Sequence, residues 1–111
     1  MQWRDHVPVM PNEVLAYLAV RRDGTYADLT AGLGGHSNLI AALLDKGVLL
    51  MNDRDGESLA LAIEATREHA AKIRSTQGVF STFPERCKEM NVGPFDGILV
   101  DLGVSMKQLT E

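Results

Sequence analysis

At 111 residues, of which 45% are hydrophobic, the chain has the length and apolar content of one domain with a single core. Its formal net charge of -4 argues against non-specific binding of nucleic acid by this chain alone, since such binding needs a positively charged face. One cysteine excludes an intrachain disulfide and a zinc thiol cluster, and the lack of a long apolar run or a signal-peptide pattern predicts a cytoplasmic protein without a membrane span.

The first predicted elements lead to a glycine-rich turn. Residues 1–10 are predicted to form an extended arm, and a helix begins at Pro11, because proline is favoured in the first turn of a helix. A strand is predicted over residues 25–30, and glycines follow it at positions 32, 34 and 35. A helix over residues 36–46 has one apolar stripe and ends at Gly47. This junction of strand, glycine turn and helix is where an α/β sheet binds nucleotide-like ligands.

The remaining residues are predicted to continue the alternation of strands and helices. The apolar run over residues 48–53 is typical of a strand buried on both faces. A long helix is predicted over residues 57–74, a short strand over 79–81, a helix that begins at Phe83 and Pro84, and a last strand over 95–102. Three strand–helix units and a fourth strand predict an α/β three-layer, Rossmann-like sandwich with a parallel sheet, as a single domain over residues 1–111.

Three aspartates, Asp28, Asp53 and Asp101, are predicted to lie at the carboxyl ends of strands, where parallel sheets bind ligands. At the position of Asp53 an acid can accept hydrogen bonds from both hydroxyls of a ribose. The alternative is that Asp53 or Asp55 caps the next helix, which we expect for Asp55. The glycine turn taken alone is equally compatible with tight turn geometry and no ligand. Together, a strand acid, a glycine turn and a ribose acid suit S-adenosylmethionine, whose cationic end a carboxylate matches in charge.

Three motifs of the chain carry a family resemblance: Asp28-x-Thr30-x-Gly32-x-Gly34-Gly35-His36-Ser37, Asp53-Arg54-Asp55, and the run from Asp96 to Ser105 with Gln108. At these residues the sequence resembles the bacterial 16S ribosomal RNA cytosine-N4 methyltransferases, the RsmH family, formerly called MraW. The resemblance implies methyl transfer from S-adenosylmethionine to the exocyclic N4 of a cytidine in 16S ribosomal RNA, within the small ribosomal subunit.

The resemblance also implies a set of cofactor-binding residues: Gly34, Gly35, His36, Asp53, Phe83, Asp101 and Gln108. Within this set Asp53 would bind the ribose, Phe83 would lie beside the adenine, and Asp101 with Gln108 would lie near the adenine or the methionine end. Asp101 and the loop after it are also the candidates for holding the acceptor amine, the one catalytic role that we assign, and no metal is expected. Judged without the resemblance, Phe83 beside Pro84 is as often a core residue, and the backbone N–H of His36 matters more than its ring.

The sequence departs from the family after Ser105, where Met106 and Lys107 stand in place of the usual Ser-Pro. Family members also continue beyond this length with further strands and an inserted helical region thought to meet the RNA. We therefore expect an incomplete methyltransferase fold that binds the cofactor and has little or no activity alone. The alternative is a non-catalytic module whose exposed last strand pairs with a second copy, as a homodimer, or with another protein.

Overall fold

Strands and helices alternate along the part of the chain that the computed structural model describes, residues 19–32 and 34–100. The elements are β1 (Thr25–Asp28), α1 (Gly35–Leu43), β2 (Val48–Asp53), α2 (Gly56–Ala65), β3 (Ile73–Gln77), α3 (Phe83–Met90) and β4 (Gly97–Leu99), with 3-10 helices at Arg67–Lys72 and Phe80–Thr82. The predicted arm and the helix from Pro11 lie outside the described residues. The bounds of β2 are those predicted from its apolar run.

The described strands form one parallel sheet in the order β3-β2-β1-β4. Thr25 of β1 pairs with Val48 of β2, and Tyr26 of β1 pairs with Gly97 of β4. The chain steps outward from β1 to β3 and then crosses back to the other side of β1, so the strand order reverses between β1 and β4. In open parallel sheets ligands bind outside the carboxyl ends of the strands at such a reversal. The predicted α/β fold with a parallel sheet is confirmed.

Helices cover both faces of the sheet, because successive side chains of a strand point to opposite faces. Leu49 and Met51 of β2 pack in a core with residues of α1 and α2, whereas Leu50 packs in a second core with α3. The first core comprises Tyr26, Ala31, Ile40, Ala41, Leu44, Leu49, Met51, Leu59 and Ala62, and the second comprises Ala27, Leu50, Phe83 and Cys87. Full burial of one large apolar side chain contributes about 2 kcal/mol, so these two cores hold the three layers together.

The segment predicted as one helix over residues 57–74 is divided, and that prediction was wrong. α2 ends at Ala65, and the hydroxyl of Thr66 donates to the carbonyl of Ala62 at 2.8 Å. A 3-10 helix follows, and Ile73–Gln77 forms β3, which pairs with β2 as far as Asp53. The apolar spacing of α2 continues through Ile73 in the sequence, but pairing with β2 satisfies the backbone of this polar segment as a strand. The strand predicted over residues 79–81 is likewise absent, and Phe80–Thr82 is a 3-10 helix instead.

Asp96 links the amino-terminal ends of β1 and β4. Its Oδ2 accepts a hydrogen bond from the Thr25 N–H at 2.8 Å, and its Oδ1 lies 2.9 Å from Arg21 Nη2. The pKa of the Asp96 carboxyl is lowered from its ordinary value. The hydrogen bond from the Thr25 N–H is the largest cause, and the positive charge of Arg21 is a smaller one. The carboxylate therefore contributes stability that is present above the unfolded pKa of about 3.9 and is lost as the pH falls through the lower folded pKa.

Replacing Asp96 should reduce the dependence of the free energy of unfolding on pH under acidic conditions. We expect the free energy of unfolding of Asp96→Asn to fall less than that of the wild type as the pH is lowered below about 4, because the variant has no carboxylate to protonate there. Urea unfolding at a series of pH values measures this slope. Asp45→Asn is the control, since it removes an exposed carboxylate that lies 4.0 Å from Arg22. Equal slopes in the wild type and Asp96→Asn would contradict the assignment.

Candidate functional site

The glycine turn joins β1 to α1 at the carboxyl edge of the sheet. Gly32 has a φ of 57° and Gly34 a φ of 91°, which residues with a Cβ rarely adopt. The Gly34 N–H donates to the carbonyl of Ala31 at 2.8 Å, and the Gly34 carbonyl accepts from the Asn38 N–H at 2.8 Å. Among the described residues no side chain caps the amino terminus of α1 at Gly34. The first N–H groups of α1 are therefore available to an outside acceptor.

Gly34 and Gly35 have different surroundings although they are adjacent. A Cβ on Gly34 would lie 3.1 Å from the Cβ of Ala65 and 3.2 Å from the Cα of Ala62, so α2 packs directly on the turn. A Cβ on Gly35 would meet no described heavy atom within 4 Å. Gly34 is thus required by packing, whereas Gly35 borders open space at the start of α1. That space is where a ligand of this turn would fit.

Asp28 ends β1 and braces the turn against α1. Its side chain is 1% exposed, its Oδ2 accepts a hydrogen bond from the Ser37 hydroxyl at 2.7 Å, and its Oδ1 accepts from the Thr30 N–H at 3.2 Å. These bonds tie the end of the strand to the first turn of the helix that follows. The structure thus gives Asp28 a bracing role, and a charge contact from Asp28 to a ligand stays a prediction.

Asp53 ends β2 and reaches across to the glycine turn. Its Oδ2 accepts from the Gly32 N–H at 2.9 Å, and its Oδ1 accepts from the Asp55 N–H at 3.0 Å. A carboxylate offers about four lone-pair sites, so this half-buried group keeps acceptor capacity for a ligand. Asp55 caps α2, since its side chain accepts from the Glu57 N–H at 3.0 Å, which confirms the predicted role.

The aromatic residue assigned to the adenine lies in the core. Phe83 is 7% exposed, packs with Ala27 and Leu50, and has its ring centroid 5.9 Å from that of Phe95. This burial supports the core alternative, and an adenine contact by Phe83 stays a prediction. Among the described aromatic side chains the exposed one at the carboxyl edge is Phe80, 45% exposed, at the start of the 3-10 helix that follows β3. Phe80 is not among the site residues predicted from the sequence, because the pattern over residues 79–81 predicts a strand.

A buried amide, also missed from the sequence, connects the carboxyl ends of three strands. Asn52 is 0% exposed, and its Nδ2 donates to the carbonyls of Leu29 at 3.0 Å and Gly78 at 3.2 Å. Its Oδ1 accepts from Nη1 of Arg86 at 2.6 Å. The available signal was one polar residue inside the apolar run of β2, whereas nothing local distinguished Arg86 on a polar helix.

Of the predicted cofactor residues, Gly34, Gly35 and His36 lie where the glycine turn meets α1, and Asp53 is linked to that turn through the Gly32 N–H. His36 lies half-buried in the first turn of α1. Asp101 and Gln108 lie outside the described residues, so their roles stay predictions. Within residues 19–32 and 34–100, no three His, Cys, Asp or Glu side chains are grouped as metal ligands. No helix in the same ranges is long and apolar enough to cross a membrane.

Solved structures of other proteins share this fold. An O-methyltransferase, TomG, from Streptomyces achromogenes, solved in complex with SAM, matches with a TM-score of 0.68 and 21% identity over 86% of this chain and 45% of that chain. The fibrillarin pre-rRNA processing protein of Methanococcus jannaschii matches with a TM-score of 0.65 and 21% identity over 86% of this chain and 37% of that chain. The fold is therefore that of the Rossmann-like methyltransferases.

Comparisons of sequence define the family within this class. Residues 4–111 match the model of the MraW methylase family. The ribosomal RNA small subunit methyltransferase H of Solibacter usitatus is 46% identical over 95% of this chain and 37% of its own length. That of Mycoplasmopsis synoviae is 38% identical over 95% of this chain and 35% of its own length. The chain belongs to the MraW methylase family, as the resemblance predicted, and spans about a third of the length of these curated relatives.

Proposed function

We propose that this chain is the cofactor-binding part of an S-adenosylmethionine-dependent methyltransferase that acts on the N4 amine of a cytidine in 16S ribosomal RNA. Membership of the MraW methylase family and the names of the curated relatives support a ribosomal RNA methyltransferase. The observation that carries the proposal is the Asp53 carboxylate, which accepts from the Gly32 N–H in the turn that leads to Gly35, where a Cβ would meet no described atom within 4 Å. The choice of cytidine N4 rests on the family resemblance.

Groups at the carboxyl edge of the sheet are chemically complementary to the ribose, the methionine end and the adenine of S-adenosylmethionine. The unused lone pairs of Asp53 suit the two ribose hydroxyls. The uncapped N–H groups of Gly35 and His36, at the positive end of α1, suit the carboxylate of the methionine end. The exposed ring of Phe80 offers an apolar face to the adenine, in place of the buried Phe83. We therefore assign the adenine contact to Phe80.

In the proposed methyl transfer, the main contribution of the protein is to orient the acceptor amine relative to the cofactor. When bound, S-adenosylmethionine supplies a methyl group on a positively charged sulfonium, which is already activated for transfer. The protein's part is to hold the acceptor amine in line with that methyl group in a pocket that excludes water. Asp101 and the loop after it are the residues that we propose for holding the amine, on the resemblance alone.

The proposed RNA partner is the small-subunit ribosomal RNA named for the relatives. A net charge of -4 gives this chain no general attraction for a phosphate backbone. We therefore propose that most of the RNA contacts belong to the remaining two thirds of the relatives' length. A cytoplasmic location follows from a ribosomal substrate and is part of the same proposal.

Calorimetric titration with S-adenosylmethionine tests the proposed cofactor site. We expect saturable binding of one cofactor per chain, displaced by S-adenosylhomocysteine, which shares the nucleoside and the amino acid end. No binding at about 1 mM cofactor, which corresponds to less than about 4 kcal/mol of binding free energy, would overturn the proposal.

The alternative function, a non-catalytic module that pairs through its sheet edge, has one observation in its favour. Among the described strands β4 pairs with β1 on one side, and Ile98 of β4 is 49% exposed. Such an edge can add a strand from a second copy. Light scattering after size exclusion tests this, and a monomer that binds S-adenosylmethionine would decide against the alternative.

The assignment of the adenine contact to Phe80 predicts a divergence between two phenylalanine variants. Phe80→Ala should lower the affinity for S-adenosylmethionine about tenfold, since stacking of a base on an aromatic ring is worth about 1–3 kcal/mol, and should leave unfolding nearly unchanged. Phe83→Ala should instead destabilise the fold by about 3–5 kcal/mol, as for other large core truncations. Calorimetry and urea unfolding measure the two effects. Wild-type affinity in Phe80→Ala, together with lost affinity in a folded Phe83→Leu, would return the role to Phe83.

A further inference from the structure

One guanidinium on α3 binds both ends of the segment that follows β3. Arg86 donates from Nη2 to the carbonyl of Val79 at 2.6 Å and from Nε to the hydroxyl of Thr82 at 3.1 Å. From Nη1 it donates to Oδ1 of Asn52 at 2.6 Å and to Oγ1 of Thr76 at 2.8 Å. Four acceptors, on β2, on β3 and in the segment of residues 78–82, thus share one side chain.

The segment of residues 78–82, named here the β3 loop, is folded closely around this guanidinium. A Cβ on Gly78 would lie 2.6 Å from Cζ of Arg86, so a larger residue there would require the guanidinium to move from its four acceptors. Gly78 in turn donates its N–H to the carbonyl of Asp53 at 3.1 Å. The β3 loop carries Phe80, whose ring is 45% exposed. The guanidinium therefore contacts residues on both sides of Phe80, the Val79 carbonyl and the Thr82 hydroxyl.

The same guanidinium orients the buried amide of Asn52. Because Oδ1 of Asn52 accepts from Arg86, its Nδ2 is directed at the carbonyls of Leu29 and Gly78. These carbonyls belong to the segments that leave β1 and β3, on either side of Asp53. Arg86 is thus linked through Asn52 to the segment that follows β1, and it contacts the β3 loop directly.

We infer that Arg86 is a positioning residue of the cofactor site, which holds the β3 loop with Phe80 in place for a purine nucleoside bound at Asp53. This inference rests on the proposed function, because it names what the loop is positioned for. The planar fork of arginine serves its acceptors in fixed directions, whereas the single ammonium of lysine does not. The positive charge alone is therefore insufficient, and the geometry of the guanidinium carries the effect.

The experiment measures S-adenosylmethionine affinity by calorimetry in the wild type, Arg86→Met and Arg86→Lys. We expect a loss of about tenfold in both variants, because the β3 loop must then be ordered at the expense of binding free energy. Arg67→Met is the matched control, since Arg67 forms an exposed ion pair with Glu64 at 2.8 Å, and it should bind as the wild type does. Faster hydrogen exchange of the amides of residues 78–82 should accompany the loss in the Arg86 variants alone.

A double-mutant cycle with Phe80→Ala separates positioning from a general loss of stability. If Arg86 acts through the ring of Phe80, the double variant should bind about as weakly as either single variant, whereas independent effects would multiply. Thr82→Val, which removes one acceptor of the guanidinium, serves in place of Arg86→Met if that variant does not fold. Wild-type affinity in the Arg86 variants, or multiplicative effects in the cycle, would overturn the inference and leave the proposed function standing. Failure of the wild type to bind the cofactor would overturn both.

Discussion

Asp53→Ala is expected to weaken the binding of S-adenosylmethionine about a hundredfold or more. The variant loses the acceptors for both ribose hydroxyls, and hydrogen bonds to a charged group are worth about 1.5–3 kcal/mol each. It also releases the Gly32 N–H, which donates to Asp53 at 2.9 Å, so the glycine turn loses its link to β2. Calorimetric titration measures the loss. Of the variants considered, this one has the largest expected effect on binding.

The control for this prediction is the neighbouring acid. Asp55→Ala removes the cap of α2, where the carboxylate accepts from the Glu57 N–H at 3.0 Å, and should cost about 1 kcal/mol of stability with little change in affinity. Asp53→Asn should bind with intermediate affinity, because the amide keeps one acceptor oxygen. Unchanged affinity in Asp53→Ala would refute the ribose assignment even if the chain binds the cofactor.

Gly34→Ala is expected to destabilise the fold by about 3 kcal/mol. The left-handed backbone of Gly34, with φ at 91°, costs a residue with a Cβ about 1–2 kcal/mol. The added methyl group would also meet Ala62 and Ala65 at 3.2 and 3.1 Å, and overpacking typically costs about 1–3 kcal/mol. Since a domain of this size is stable by about 5–15 kcal/mol, the loss should be obvious in urea unfolding.

The adjacent Gly35→Ala is the matched control and should show the opposite pattern. Its Cβ would meet no described atom within 4 Å, so its stability should change by less than about 1 kcal/mol. Its affinity for S-adenosylmethionine should fall, because the methyl group projects into the space proposed for the cofactor. If both variants unfold at the same urea concentration, the packing of α2 on Gly34 is not what requires a glycine there.

Elements that are determined by residues close together in the sequence could be predicted from it. An unbroken apolar run placed β2 at its observed bounds, because a strand buried on both faces needs apolar residues throughout. Asp55 was predicted as a helix cap from its position before a helical stretch. β3 could not be found in this way. Its sequence, IRSTQ, has the polar character of an edge strand, and only its pairing with β2 gives it that structure.

The sequence by itself determined the parallel α/β fold, the glycine turn and the placing of Asp28 and Asp53 at strand ends, since these follow from residue types and their spacing along the chain. The tertiary structure decided which neighbours these residues have. It showed that Gly34 packs on α2 while no described atom lies against Gly35, that Phe83 is buried while Phe80 is exposed, and that Arg86 donates to the β3 loop. Contacts of this kind join residues that are distant in sequence, so no local pattern encodes them.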